Sequence, residues 1–308
     1  MKALIVYCHP SEDSFTRHVR DAFIQGITDA GHEYILSDLY AMDFKTDMSA
    51  KEYLRDANYR DTNDLAEDVL AEQDKVNAAD AIVLIYPVFW TEAPAKLVGW
   101  FDRVWSYGFA YGKKRMKTLD KGLVLCTAGN TRERLEQFGL LESMNRVMFG
   151  DRLFKRVQKQ EFTVFAGMTR ECELREKDWD RNLETAYEKG RTLFDPAAEV
   201  FSLEGRFFTA VENSPTGEVS GETVFGYHQK DNVIWAEYSG GSVVKGSLVG
   251  TMDEKHGLHF TYQHINSAGE IKSGACDSEP REENGRLRFY EKWKWNTGGE
   301  GTSVIEEI

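Results

Sequence analysis

Cysteine and proline are scarce, and positive charge is in deficit. The four cysteines of the 308-residue chain, Cys8, Cys126, Cys172 and Cys276, lie far apart and form no CxxC pair. That spacing argues against a disulfide framework or a cysteine-based zinc site, and free thiols in a reducing cytoplasm are the expectation. Net charge is −13, of which residues 1–200 carry −6 and residues 201–308 carry −7. Neither part has the Lys/Arg face that nucleic acid or an anionic membrane surface requires. No apolar run reaches the roughly 18 to 20 residues of a membrane span. The opening MKALIVYCHP has a short apolar run ended by His-Pro, which reads as a first strand and not as a signal peptide. A cytoplasmic protein follows, with no nucleic-acid partner and no membrane insertion. With 41% hydrophobic residues the chain has the material for a core and is not disordered.

Up to about residue 195, short apolar runs alternate with helical patterns. Met1–Tyr7, Glu33–Ser37, Ala81–Tyr86, Gly122–Thr127 and Phe162–Ala166 read as strands. Between and after them, helical spacing is carried by Phe15–Ile27, Asp64–Ala79, Leu97–Trp105, Glu133–Phe149 and Asp178–Phe194, with Pro94 at the first turn of the third. Strands apolar throughout are expected to be buried on both faces. Five such units predict a doubly wound, five-stranded parallel sheet of flavodoxin type, with ligands beyond the carboxyl ends of the strands. The segment 42–63 is expected to wrap the surface or a partner subunit.

After Asp195-Pro196 the helical period vanishes. Residues 201–308 divide into about eight short strands at turn signals such as Asp231-Asn232, Ala268-Gly269, Asn284-Gly285 and Gly298-Gly299. Leu287, Phe289, Glu291, Trp293 and Trp295 share one face of a strand, and Leu258, Phe260, Tyr262 and His264 share another. A small antiparallel barrel or sandwich is expected, so the chain is read as two domains, 1–195 and 201–308.

Three loops of the first domain converge on the predicted ligand edge. His9, Ser14, Phe15 and Thr16 lead into the first helix, where hydroxyls and helix N–H groups suit a phosphate, although Ser14 would also serve as a plain N-cap. Pro87, Val88, Phe89 and Trp90 place two aromatics at a strand end, either as the wall of a planar cofactor or as a plug against the first helix. Thr127, Ala128, Gly129 and Asn130 are small enough to bring backbone close to a ligand, or form an ordinary turn.

The residues ALIVYCHP with Ser14-Phe15, SDLYAMDF (Ser37–Phe44) and YPVFWTEAPAKLVGWFDRVWSYGFAYG (Tyr86–Gly112) resemble the flavodoxin-like NAD(P)H:quinone reductase family over residues 1–195. The resemblance implies a bound FMN or FAD, NAD(P)H as electron donor, a quinone-like acceptor and a homodimer. It assigns His9, Ser14, Phe15 and Thr16 to the phosphate and ribose region. Pro87 to Trp90 and Thr127 to Asn130 become the two loops that contact the ring. It also implies two hydride transfers in ping-pong order, into the flavin from the nicotinamide and out to the acceptor. Some family members carry a Tyr and a His after the third loop; residues 127–150 here contain neither, so no proton relay is assigned.

Residues 203–308 resemble small bacterial proteins that carry an acetylglutamate synthase label. The label fits poorly, because an acetyl-CoA enzyme needs a pyrophosphate loop opening a helix. The inward mix of Phe260, Tyr262, His264, Glu291, Trp293 and Trp295 has two readings: a small-ligand site, or an aromatic core with Glu291 and His264 at its rim. Glu222, Glu237, His228 and His264 match no metal-site spacing. Two further roles stay open for the whole chain, a redox regulatory subunit and a ligand sensor acting through the barrel.

Overall fold

A computed structural model describes residues 1–62, 64–170, 172–195, 201–283 and 285–308. Asn63 at the end of the first long connection, Pro196 at the expected boundary and Asn284 of the Asn284-Gly285 turn lie outside the described residues. The chain forms two compact units, Met1–Ala198 and Glu199–Ile308.

In the first unit, strands β1 (Lys2–Tyr7), β2 (Glu33–Asp38), β3 (Ala81–Pro87), β4 (Leu119–Thr127) and β5 (Val157–Phe165) form one parallel sheet in the order β2-β1-β3-β4-β5. Side chains alternate across it as the strand period requires. Ala3, Ile5 and Tyr7 of β1 pack with α1 (Phe15–Asp29) and α7 (Glu173–Arg191). Leu4, Val6 and Cys8 pack on the opposite face, with Val76 of α3 (Glu67–Ala78) and with Leu97 and Trp100 of α4 (Ala95–Val104). Helices α1 and α7 approach so closely that a Cβ on Gly26 would stand 2.1 Å from the Tyr187 carbonyl oxygen, and one on Gly190 2.1 Å from that of Phe23.

Three expectations need correction. Only β3 is apolar and buried throughout: β1 and β4 carry charged residues near their starts, and β2 and the middle of β5 are largely exposed or half-buried because these two strands are the sheet's edges. The single helix expected over 133–149 is broken into α5 (Arg132–Gln137) and α6 (Leu140–Val147), followed by a π-helical turn at Met148–Arg152. Gly139, with φ +65°, supplies the left-handed residue at the break. The connection 42–63 contains a helix, α2 (Ala50–Ala57), opened by a reciprocal capping box between Ser49 and Glu52. Part of that segment is fastened to its own domain. Arg103 of α4, almost fully buried, donates to Glu52 (2.8 Å), Asp68 (2.6 Å) and the Lys45 carbonyl (2.8 Å). Both carboxyls are held below their usual range: hydrogen bonds from Ser49 and Arg103 outweigh desolvation at Glu52, and Arg103 dominates at Asp68.

The second unit is a closed antiparallel barrel of eight strands: β6 (Phe207–Asn213), β7 (Val224–Lys230), β8 (Val233–Gly240), β9 (Val243–Met252), β10 (Leu258–Asn266), β11 (Ile271–Glu283), β12 (Arg286–Trp295) and β13 (Glu300–Glu307). Each strand pairs with its chain neighbours, and β13 closes on β6. Closure leaves no open edge. Burial alternates strictly along β8 and β12, so Leu287, Phe289, Glu291 and Trp293 point inward. No helix of the described residues is long and apolar enough to cross a membrane.

Candidate functional site

The parallel sheet delivers its loops to one edge. Register places Pro87 beside Thr127 and Thr127 beside Phe165, and the ladders run one residue further. Val88 N–H donates to the Thr127 carbonyl (2.8 Å) and Ala128 N–H to that of Phe165 (2.9 Å). Thr16 and Thr127, both buried, share a hydroxyl hydrogen bond of 2.8 Å, which ties the first turn of α1 to the end of β4. The first and third loops are thereby brought together.

Within the first loop, His9 is half-buried and its Nδ1 accepts from the Ser11 N–H at 2.9 Å. Burial pushes the imidazole pKa below its ordinary value, which favours this neutral acceptor. Ser14 caps α1 by accepting from the Arg17 N–H (3.1 Å), so the plain capping role is realised. Phe15 lies in the core against Phe165 and Trp179, with ring centroids 6.3 and 4.6 Å away. It therefore braces the loop from beneath.

Loop two is a tight turn. Phe89 and Glu92 exchange two backbone hydrogen bonds, of 2.8 and 3.0 Å, across Trp90 and Thr91. Those two residues have φ of +55° and +67°, a left-handed pair that glycine or asparagine normally supplies. For Trp and Thr such a conformation costs on the order of 1–2 kcal/mol each. The turn is held at its Glu92 end. Glu92 accepts from Arg152 (3.0 Å) and from the Ala93 N–H (2.7 Å), while Arg152 lies over the Phe101 ring. The strained turn leaves Trp90 99% exposed and Phe89 44% exposed, although Pro87 is buried and Val88 packs on the core. Trp90 is thus no plug against the first helix.

In loop three, the Ala128 carbonyl accepts from Met168 N–H (2.9 Å) and the Asn130 carbonyl from Gly167 N–H (2.8 Å). Gly129 has no room for a side chain, since a Cβ there would stand 2.5 Å from the Thr169 methyl. A fourth loop, 166–170, therefore backs the site; its Gly167-Met168-Thr169 carries no chemical signal that would have flagged it. Arg152 was equally hidden, as one charge just past the end of the expected helix. The thiols at this edge are not nucleophiles: burial pushes Cys8 up to about 12 and raises Cys126 further. What the edge offers is backbone, hydroxyls and an exposed aromatic pair.

A concavity lies inside the barrel, with a cavity volume of about 50 Å³ and an opening to solvent. All six side chains singled out from the sequence line it: Phe260, Tyr262, His264, Glu291, Trp293 and Trp295. Glu291 and His264 are not rim residues, at 7% and 3% exposure. Glu218, from the turn after β6, also lines it, and nothing in its polar surroundings in the sequence marks it out. Its carboxylate meets His264 Nε2 at 2.7 Å, and His264 Nδ1 meets the Tyr238 hydroxyl at 3.1 Å.

The family described as having a flavodoxin-like fold matches residues 1–189. The chain belongs to the flavodoxin-like fold family. Residues 201–308 match a second family, described as avidin-like protein, which lends no support to the acetylglutamate synthase label. Over the flavodoxin-like region, the chain is 42% identical to a solved NAD(P)H:quinone oxidoreductase from Methanothermobacter marburgensis. That match covers 63% of this chain and 96% of the other, with a TM-score of 0.60. It is 33% identical to an uncharacterized NAD(P)H oxidoreductase of Haemophilus influenzae, covering 54% of this chain and 83% of that protein. Identity is 27% to rat NAD(P)H dehydrogenase [quinone] 1, covering 64% and 81%. The chain spans only 46% of a Penicillium crustosum ribosyldihydronicotinamide dehydrogenase-like protein. The flavodoxin-like domain is thus related, at a distance, to NAD(P)H quinone reductases.

Proposed function

We propose that residues 1–195 are a flavin-binding domain that works as an NAD(P)H:quinone oxidoreductase, with residues 201–308 as an accessory barrel domain. The observation that carries this reading is the Phe89–Glu92 turn. A protein that holds a tryptophan at full exposure on a left-handed backbone uses the strain for a ligand, since packing gains nothing from it. The residues suit FMN or FAD: Phe89 and Trp90 present flat apolar surface, and Thr127, Ala128, Gly129 and Asn130 present backbone at the same edge. His9, Ser14 and Thr16 surround the start of α1, where the helix N–H groups favour phosphate. When bound, a flavin supplies hydride acceptance from NAD(P)H and hydride donation to a quinone.

The chain's own part is placement and electrostatics. Arg152 fixes the turn through Glu92, the Thr16–Thr127 pair fixes two loops against each other, and backbone N–H groups favour negative charge on the ring. No side chain is assigned proton transfer, since His9 is engaged by its own loop. The names of the Methanothermobacter and rat relatives support the donor and acceptor. A homodimer is part of the proposal, supported by Tyr53, Leu54 and Tyr59, which lie exposed on and beside α2.

The test separates the two half-reactions. With flavin bound and oxygen excluded, NADPH or NADH should bleach the visible absorption, and a benzoquinone should then restore it. Steady-state plots should be parallel. A flavin-loaded protein that neither bleaches with nicotinamide nor recolours with quinone would sink the oxidoreductase reading and favour a regulatory role.

A further inference from the structure

The barrel cavity is built, not left over. Four of its aromatic side chains lie across a glycine on the neighbouring strand: Tyr238 on Gly246, Phe260 on Gly250, Tyr262 on Gly274 and Trp293 on Gly301. A Cβ on any of these glycines would stand 2.3 to 2.5 Å from the paired aromatic residue. At Gly246 and Gly301 the contact is with the ring of Tyr238 and Trp293, and a side chain larger than glycine there would displace the ring. Trp295 completes the wall, with ring centroids 5.4 Å from Tyr262 and 5.5 Å from Trp293.

The charged groups inside lean to one sign. Two carboxylates, Glu218 and Glu291, line the cavity, and neither Lys nor Arg does. Glu218 is already engaged, by His264 at 2.7 Å and by Asn266 Nδ2 at 3.2 Å. Glu291 is different. Its Oε2 accepts from Ser303 (2.7 Å), and none of the described cations is paired with it. Among the described residues, the nearby hydroxyls of Tyr227 and Ser278 are buried without a hydrogen-bond partner, at 0% and 2% residue exposure; Ser278 sits opposite Glu291 in the strand register. Asn213, which lines the cavity, has a buried and equally unpartnered Oδ1 acceptor. Of these three groups Asn213 lines the cavity itself, and its buried acceptor is what a ligand's hydrogen bond would complete.

We infer that the barrel binds a small aromatic amine, its ammonium group received by Glu291 and its apolar body lying against Tyr262, Trp293 and Trp295. The donors of an ammonium answer the acceptors present, aromatic faces attract a cation, and an anion would meet two carboxylates, with the His264 imidazole already held by Glu218. Burial holds the Glu291 carboxyl at about 7. Around it stand Tyr227 from β7, Tyr238 from β8, Tyr262 and His264 from β10, Cys276 from β11 and Glu218 from the turn after β6. Burial raises the tyrosines and the cysteine far enough that they stay neutral. Amine binding then ionises Glu291: the protonated carboxyl and the ammonium become an ion pair, and the carboxyl proton leaves to buffer. This site does not depend on the flavin reading.

The test is calorimetric titration of the full chain with three compounds of like shape: 2-phenylethylamine, 2-phenylethanol and 3-phenylpropionate. The amine should bind at least tenfold more tightly than the propionate, with the alcohol between them. Glu291→Gln should weaken the amine at least tenfold and spare the alcohol. With wild type at pH 6.5, titrations in buffers of different ionisation enthalpy should show about three-quarters of a proton released per amine bound, given a carboxyl near 7. That measurement keeps the inference falsifiable if the variant fails to fold. The inference is overturned if the propionate equals the amine, if the amine does not bind at millimolar concentration, or if binding releases no proton.

Discussion

The two candidate sites of this chain solve opposite problems. At the edge of the parallel sheet the site is open and built mainly of backbone and hydroxyls, and its most conspicuous side chain, Trp90, touches water on every side. Inside the barrel the cavity is walled by aromatic rings, and one of its two acids, Glu291, is buried. The first arrangement suits a group that brings its own reactivity and needs only a shelf and a field. The second suits recognition, because every polar atom inside must be answered by the guest. One chain therefore carries a site with little chemistry of its own beside a site whose chemistry is decided by its side chains.

The comparison breaks most visibly at the helix contact of the flavodoxin-like domain. Gly190→Val drives a side chain into the Phe23 backbone and should cost that domain at least about 3 kcal/mol, while leaving the barrel's unfolding transition in place. Two resolved transitions in calorimetry, only one of them shifted, would show the units to be energetically separate; a joint shift would show them coupled.

Next in size is Glu291. Its folded value of about 7 lies above the 4.5 of an unfolded glutamate, so between those values the folded state keeps a proton that the unfolded state has lost. Stability from this group is fully present below pH 4.5 and falls as pH rises to 7, by up to about 3 kcal/mol. Glu291→Gln should remove that slope, so its advantage over wild type should grow between pH 5 and pH 8 in thermal unfolding. An unchanged difference across that range would mean the carboxyl is ionised already.

Smaller effects belong to the open site. Thr16→Val leaves the buried Thr127 hydroxyl without its partner and should cost about 1–2 kcal/mol in denaturant unfolding. Trp90→Gly should act with the opposite sign, raising stability by about 1 kcal/mol as left-handed strain is relieved. A loss of stability in Trp90→Gly would mean that the indole packs on something, and would remove the argument that the strain serves a ligand.

Much of the fold was legible because burial and period agree. Ala81–Tyr86 is apolar and fully buried at the centre of the sheet, and Leu287–Trp295 alternates in sequence as it does across the barrel wall. Helix α2 escaped because its buried face is polar: Glu52 and Arg55, the former paired with Arg103, replace the apolar stripe that reveals a helix. Its Ser49-x-x-Glu52 capping box was the available signal. The approach of the three loops was readable from topology, whereas the left-handed turn at Trp90 and Thr91 was not, since neither residue favours it. Six cavity residues of the barrel were readable by alternation. Glu218 and Ser303 reach the same space from outside those two strands, and only the closed barrel brings them there.

The central claim is that the exposed edge at Trp90 holds a flavin. The most direct measurement titrates FMN and FAD into the purified chain while following tryptophan emission and flavin absorbance, for wild type and Trp90→Gly. One flavin per chain, with quenching that depends on Trp90 and at least tenfold weaker binding in the variant, is the expected result. Binding of neither flavin, or equal binding by a folded Trp90→Gly, would contradict the account.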